Sequence, residues 1–346
     1  MDSYSQRIGE RLGLPTLATT IPSRSSERFG IPALSTASAR CLVADLRFLG
    51  RLRREGGPLH FAGQHLARYG PPAGRPYVVT VHDLIRWFDL ARREPLIQRL
   101  NLRDRLLLRL DYRACRRAAG LIAISRTTRR DLVRHLGVEP DRVAVALNGV
   151  DHELFRPIER RLFDFPYVLY VGTEQPRKNL EALLRALARL AAVGARPHLR
   201  LVKVGRCGPR PEDRERTLRV IADLGVEGRV HFTGRLTDED LVAAYCGAAC
   251  AAFPSRYEGF CLPVVEAMAC GCPVIASTAG ALPEVVGDAG LLVDPDDDRL
   301  LAAAIEAIVA DGAGAALRHR GLRRAASFSW ERTAADTMAA YERFLP

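Results

Sequence analysis

Nowhere does the chain hold about eighteen uninterrupted apolar residues, so no helix of it is expected to cross a bilayer. The first ten residues are polar and lack the apolar centre of a secretory signal, which makes a cytoplasmic protein the expectation. There is no G-x-G-x-x-G and no Walker loop, so hydride transfer and ATP hydrolysis lose support. The eight cysteines form no zinc pattern. Cys270 and Cys272 are too close together, and no nearby histidines complete a set. A chain of this size and apolar content folds without staples, so reduced, mostly buried thiols and no metal are expected.

What is present is ordinary globular composition, 48% hydrophobic and 26% charged, over 346 residues. That length suits one large domain or two medium ones. The net charge of +11 is uneven: between Asn101 and Arg134 stand ten arginines against three aspartates. Such a stretch is either a solvated face or a surface for anionic lipid or a phosphate-bearing acceptor. Nucleic acid is not expected, because no aromatic platform is interleaved with the charge. The oligomeric state is left open.

Short β-branched runs alternate with helical stretches. Strands are read at 77–82, 121–124 and 143–147, with helices through the arginine-rich stretch and over 127–136. A proline-bearing, charged segment at 155–166 reads as a link between domains. Beyond it the alternation resumes, with strands at 167–171, 199–204, 230–232, 249–253, 274–277 and 291–293. Helices are read at 179–192, 241–245, 262–269, 300–310 and 330–344. The expectation is an α/β protein of two Rossmann-like domains facing across a cleft, with ligands outside the carboxyl ends of the strands. No first strand with a glycine-rich loop is recognisable in the first forty residues.

Several residues could carry chemistry. Glu258 and Glu266 lie eight apart around a strand-to-helix loop, where Gly259 would permit a sharp turn and Pro263 suits the first helical turn. The N–H groups of that helix start could hold a phosphate or a sugar hydroxyl. Lys178 follows a strand and opens a helix, where an ammonium could neutralise charge on a leaving diphosphate; a solvated loop lysine is the plainer reading. Gly172 would let backbone approach closely. His82, at a strand end beside Asp83, could bond a substrate hydroxyl, share a proton network with Asp83, or be structural. Asn148-Gly149 is a turn signal only.

Taken in order, these pieces resemble the family 4 glycosyltransferases, retaining enzymes of the GT-B fold. The resemblance is carried by Val-His-Asp (81–83), Ala-Ile-Ser (123–125), Asn-Gly-Val-Asp (148–151) and Val-Gly-Thr-Glu-Gln-Pro-Arg-Lys-Asn-Leu (171–180). It continues through 254–277, 281–295 and Phe-Ser-Trp-Glu (328–331), and so covers the chain from about residue 75 onward. It implies an acceptor-side domain over 1–160, a donor-binding domain over 161–327 and a terminal helix over 328–346 that packs back on the first. By the same resemblance Lys178 looks like the contact to the donor diphosphate. Glu258 looks like the acid beside the donor sugar, Glu266 like the acid on the ribose hydroxyls, and His82 like the sugar contact from the opposite domain. Gly259, Phe260 and Cys261 fall where backbone amides hold sugar hydroxyls, and Leu262 is grouped with them; Gly172 and Thr173 flank the diphosphate. Where the family usually has glycine this chain has Cys261, and where many members have arginine it has Thr173, leaving Arg177 or Arg206 to supply the charge.

The resemblance implies a metal-independent transfer without cofactor, in which the acceptor hydroxyl attacks from the leaving-group face of the sugar and a donor phosphate oxygen takes its proton. The lysine loop resembles that of bacterial enzymes of surface-polysaccharide synthesis, many of them mannosyltransferases. The expectation is mannose from GDP-mannose, delivered to a glycan or lipid-linked acceptor at or near the inner membrane face. The alternatives are a UDP-sugar-dependent glucosyl- or N-acetylglucosaminyltransferase and a non-catalytic partner of the same fold.

Overall fold

The computed structural model describes residues 48–345, except 55, 92–95, 98, 195, 209, 311 and 312. The glycine-rich loop sought near the amino terminus lies outside the described residues. Four parallel strands stand side by side in chain order: β1 (Leu59–Phe61), β2 (Tyr77–Val81), β3 (Gly120–Ala123) and β4 (Val143–Val145). The strand-period alternation sends Leu59, Phe61, Tyr77, Val79, Val81, Leu121 and Ala123 into one core and Val78 and Ile122 into another. β1 escapes sequence reading because it is three residues long and carries His60 at its centre.

Beyond the short helical stretches Gln64–Tyr69 and Gly70–Ala73, which follow β1, come three longer helices: α1 (Ile85–Ala91), α2 (Leu102–Arg117) and α3 (Arg126–Leu136). Asn101 starts α2 by accepting from the Asp104 N–H at 2.8 Å, and Ser125 starts α3 by accepting from the Thr128 N–H at 2.9 Å. Gly137, at φ 63°, stops α3 in the left-handed conformation that glycine adopts without steric cost.

Apart from a bridge at Val150, residues 146–166 hold no strand or helix. The second unit is a six-stranded parallel sheet of β5 (Tyr167–Val171), β6 (Arg200–Val204), β7 (Val230–Gly234), β8 (Cys250–Phe253), β9 (Val274–Ser277) and β10 (Gly290–Val293). Their spatial order, β10-β9-β8-β5-β6-β7, is that of a doubly wound Rossmann sheet, with its topological switch between β5 and β8. Both faces are covered, by α4 (Leu180–Ala192), α5 (Pro211–Leu224), α6 (Asp238–Gly247), α7 (Leu262–Ala269), α8 (Leu282–Val286), α9 (Asp298–Ala310) and α10 (Ala313–Ala325). α5 is missed in the sequence reading because its buried side includes Asp213 and Thr217, which blur the apolar period.

The last helix, α11 (Trp330–Phe344), returns to the first sheet. Ala340 packs with Val78 and Ile122, the Thr333 hydroxyl donates to the Leu147 carbonyl at 2.6 Å, and Phe344 lies against Gly120 so closely that a β-carbon there would overlap the ring. Asn148-Gly149-Val150 meets Phe328-Ser329-Trp330 at the root of this helix: Gly149 has no room for a side chain against Ser329 and Trp330, and the Val150 N–H donates to the Phe328 carbonyl at 3.4 Å.

On the same face the His60 ring is held between two hydroxyls, Nε2 to Thr80 Oγ1 at 2.8 Å and Nδ1 to Tyr341 of α11 at 2.6 Å. Burial, with a smaller contribution from His82, lowers its pKa to about 4. Because the folded value lies below the unfolded one, the contribution of His60 is intact above about pH 6.5. It falls as the pH drops from there toward 4, by up to about 1.4 kcal/mol per pH unit. Urea denaturation at neutral pH and near pH 5 should therefore show a smaller acid loss of stability in His60→Gln than in the unsubstituted protein.

Candidate functional site

The loops after β5 and β8 meet at the switch point of the second sheet. Pro176–Lys178 forms one tight turn, closed by Asn179 at φ 55°. Asn179 Nδ2 donates to the carbonyls of Pro254 (3.0 Å) and Pro295 (2.6 Å), and the Arg256 N–H donates to the Arg177 carbonyl at 2.7 Å. The lysine loop and the Glu258 loop are thus one stitched unit.

Glu258 is 6% exposed and lies at the centre of that unit. Lys178 Nζ is 2.6 Å from Oε1, Arg177 Nη1 is 3.1 Å from Oε2, and the Ser255 hydroxyl donates to Oε1 at 2.8 Å. Burial pushes this carboxyl up, but Lys178, Arg177 and Ser255 together outweigh it and hold Glu258 below its ordinary value. The carboxylate is anionic at neutral pH. Lysine is rare here, at two residues in the chain, and both pair with buried acids of this domain. Lys203 binds Glu174 at 3.0 Å, both side chains fully buried, and Arg214 grips the same carboxylate with two bonds of 2.8 and 2.7 Å. That second network anchors the start of the lysine loop.

Cys261 precedes α7 at φ 79° and ψ 74°, a left-handed conformation that costs a β-carbon-bearing residue and suits glycine. Burial raises its thiol to about 12, and the charges of Glu258, Lys178 and Glu266 act on it, so all three acid and base candidates share its surroundings. Glu266, in the second turn of α7, accepts from the buried Tyr245 hydroxyl at 3.1 Å. Phe260 is a packing residue, edge-on to Phe328 at 5.7 Å. Leu262 opens α7, half-buried.

A β-carbon at Gly172 would meet only Tyr170, at 3.4 Å, and Gly205 comes so near the Gly172 carbonyl that a β-carbon on Gly205 would lie 3.0 Å from it. The loop bends at Gly259, as expected, although its φ lies outside the left-handed region. A β-carbon there would lie 2.0 Å from the His82 carbonyl oxygen and 2.9 Å from Asp83 Cβ, so glycine is needed because two domains touch at this point. Of the two arginines considered for the phosphate, Arg177 is engaged with Glu258, while Arg206 is exposed and its carbonyl accepts from Lys203 at 2.8 Å. The Thr173 hydroxyl and Arg177 Nε are buried, with no hydrogen-bond partner among the described residues.

From the first domain, His82 and Asp83 face this loop. His82 Nε2 bonds the Ala62 carbonyl at 2.8 Å, and burial, partly offset by that bond, lowers its pKa, which leaves a neutral imidazole. Asp83 Oδ1 accepts from the Ile85 N–H at 2.9 Å; burial raises its pKa, and Arg177, Lys178 and Glu258 act on it across the boundary. Buried Gln64 ties the pair, accepting from the His82 N–H at 3.2 Å and donating to the Asp83 carbonyl at 3.1 Å.

Sequence reading overlooks two further clasps. The Tyr257 hydroxyl donates to Asp131 of α3. Glu284 of α8 accepts from the Arg126 and Thr127 N–H groups at 2.8 and 3.0 Å, and so caps α3 from the other domain. Glu284 lies in the 281–295 motif, but only its spatial partner reveals the role. Gly259→Ala should force the domains apart while leaving each folded. Small-angle scattering would then show a larger radius of gyration with an unchanged far-UV spectrum; an unchanged radius would contradict this.

Residues 165–311 match the family described as glycosyl transferases group 1, and residues 32–154 match glycosyltransferase family 4. The MMP α-(1→4)-mannosyltransferase of Mycolicibacterium hassiacum is 36% identical over 287 residues, 78% of this chain and 66% of that protein. An O-antigen chain mannosyltransferase B of Escherichia coli is 40% identical over 178 residues, 51% of this chain and 45% of that one. The chain thus spans less than two thirds of the length of these relatives. The sucrose-phosphate synthase of Thermosynechococcus elongatus superposes with a TM-score of 0.77 at 26% identity, covering 99% of this chain and 92% of that one. The chain belongs to the glycosyltransferases of family 4, or group 1, and carries their GT-B fold of two Rossmann-like domains.

Proposed function

We propose that this chain transfers a hexose, with retention of configuration, from a nucleotide-sugar donor to a hydroxyl of a glycan or lipid-linked acceptor, and that the donor is GDP-mannose. The observation that carries the transferase reading is the Glu258–Lys178–Arg177 cluster at the switch point of the donor-side sheet, with His82 and Asp83 of the other domain against it. The mannose assignment is supported by the names of the two relatives and by the form of the lysine loop.

In this reading Lys178 and the start of α7 take up the negative charge that grows on the leaving nucleoside diphosphate. The Thr173 hydroxyl and Arg177 Nε, buried without partners among the described residues, are donors that phosphate oxygens would satisfy. Glu258 supports the cation-like sugar and keeps Lys178 in place, and Glu266 holds the ribose. The neutral His82 presents a hydrogen-bonding ring rather than a second cation to the sugar. The acceptor hydroxyl approaches from the leaving-group side, and its proton passes to a donor phosphate oxygen. Asp83, whose carboxyl is raised, is not needed as a base.

Lys178→Ala should lower turnover of the preferred donor by about a hundredfold or more, as loss of an electrostatic stabiliser of the leaving group does; near-normal turnover would remove Lys178 from this role. Slow donor hydrolysis across GDP- and UDP-sugars tests the donor, and preference for UDP-glucose or UDP-N-acetylglucosamine would replace the mannose assignment. Absence of both binding and hydrolysis across the series would favour a non-catalytic partner.

A further inference from the structure

We propose that α2 is a docking helix that seats this protein on an anionic lipid bilayer, with the mouth of the interdomain cleft at headgroup level. One side of α2 is core: Leu108, Tyr112, Ala114 and Cys115 are buried. The other side presents Leu102, Leu106 and Leu110, 88%, 58% and 44% exposed. Their spacing of four residues aligns them in one stripe along the helix. Single exposed leucines are normal on a protein surface, but three in register form a patch that water disfavours.

The stripe is surrounded by exposed Arg103, Arg109, Arg113, Arg116 and Arg117. Of the two acids in the helix, Asp111 is buried against Arg68 at 2.7 Å and Asp104 sits in the first turn. The outward face therefore carries leucines toward its amino end, with Arg103 and Arg109 beside them and Arg113, Arg116 and Arg117 beyond, a mixed apolar and cationic surface of the kind that lies in a membrane interface. The arginine stems can lie along the leucines while their guanidinium groups reach phosphates. The same charge argues against a second copy as the occupant, since a twofold contact would set one group of arginines against another.

Topology places this face beside the site. All strands of the first sheet are parallel, and α2 leads within three residues into the amino end of β3. A sixteen-residue helix spans about 24 Å, so its opposite end, with Leu102 and Leu106, lies toward the carboxyl ends of the strands, where His82 and Asp83 meet the second domain. No single helix among the described residues is long and apolar enough to cross a membrane, so the contact is interfacial. The inference stands whichever sugar is transferred.

Co-sedimentation with vesicles of phosphatidylglycerol and phosphatidylcholine, and of phosphatidylcholine alone, tests it. The unsubstituted protein should bind the anionic vesicles, and high salt should weaken that binding. Leu102→Ser combined with Leu106→Ser and Leu110→Ser should lower the partition coefficient about tenfold or more. Arg103→Gln with Arg109→Gln and Arg113→Gln should lower it similarly and flatten the salt dependence. These positions are exposed, so both variants should keep the parent unfolding temperature. The proposal is overturned if the parent ignores anionic vesicles, or if the leucine variant binds them as the parent does. It is also overturned if that variant changes the mass in light scattering while vesicle binding stays constant.

Discussion

Glu258 is a carboxylate withdrawn from water, and a charge in that position persists only when opposite charges and hydrogen bonds surround it. Lys178 and Arg177 supply them from the loop after β5, and Ser255 from the loop after β8. The geometry of the donor side follows from that requirement. The lysine loop must turn tightly at Asn179, the loop after β8 must deliver Ser255 and Glu258 together, and Cys261 must accept a left-handed backbone so that α7 can start immediately afterward. A second buried carboxylate, Glu174, repeats the device a few residues upstream with Lys203 and Arg214.

Closure of the two domains depends on the same loop. Gly259 touches the His82 carbonyl with no room for a side chain, and two clasps flank that contact: Tyr257 to Asp131, and Glu284 on the start of α3. Both clasps use polar groups that water could satisfy when the domains separate. Opening therefore costs little in unmet hydrogen bonds, as a cleft that admits and releases ligands requires. The root of α11 is different. Val150, Gly149 and Trp330 pack there without space, and that joint is the fixed end about which the cleft can work.

Much of the fold was legible because parallel strands buried on both faces read as β-branched runs and because helices follow them at regular intervals. β1 and α5 were not legible: the first is too short to show a period, and the second buries an aspartate and a threonine. Lys178 and Glu258 could be singled out because charged residues near glycine and proline in loops after strands are unusual, and Glu266 because it is an acid among Val264, Val265, Ala267 and Met268. Tyr257, Asp131, Gln64 and Glu284 could not, because each is ordinary in its own segment and gains meaning from a partner that is distant in the chain. The arginine-rich stretch could be seen as charge, but exposure alone separated its leucines into buried and outward sets.

By itself the sequence determined the succession of strands and helices, the family, and the residue types at the two donor-side loops, since local pattern and spacing encode these. Only the tertiary structure decided that Lys178 and Arg177 converge on one buried carboxylate, that Gly259 serves the domain contact as well as the bend of its loop, and that arginines surround an apolar stripe on α2. Those facts depend on distances between segments and on which atoms are withdrawn from water, and neither is a property of a residue's neighbours along the chain.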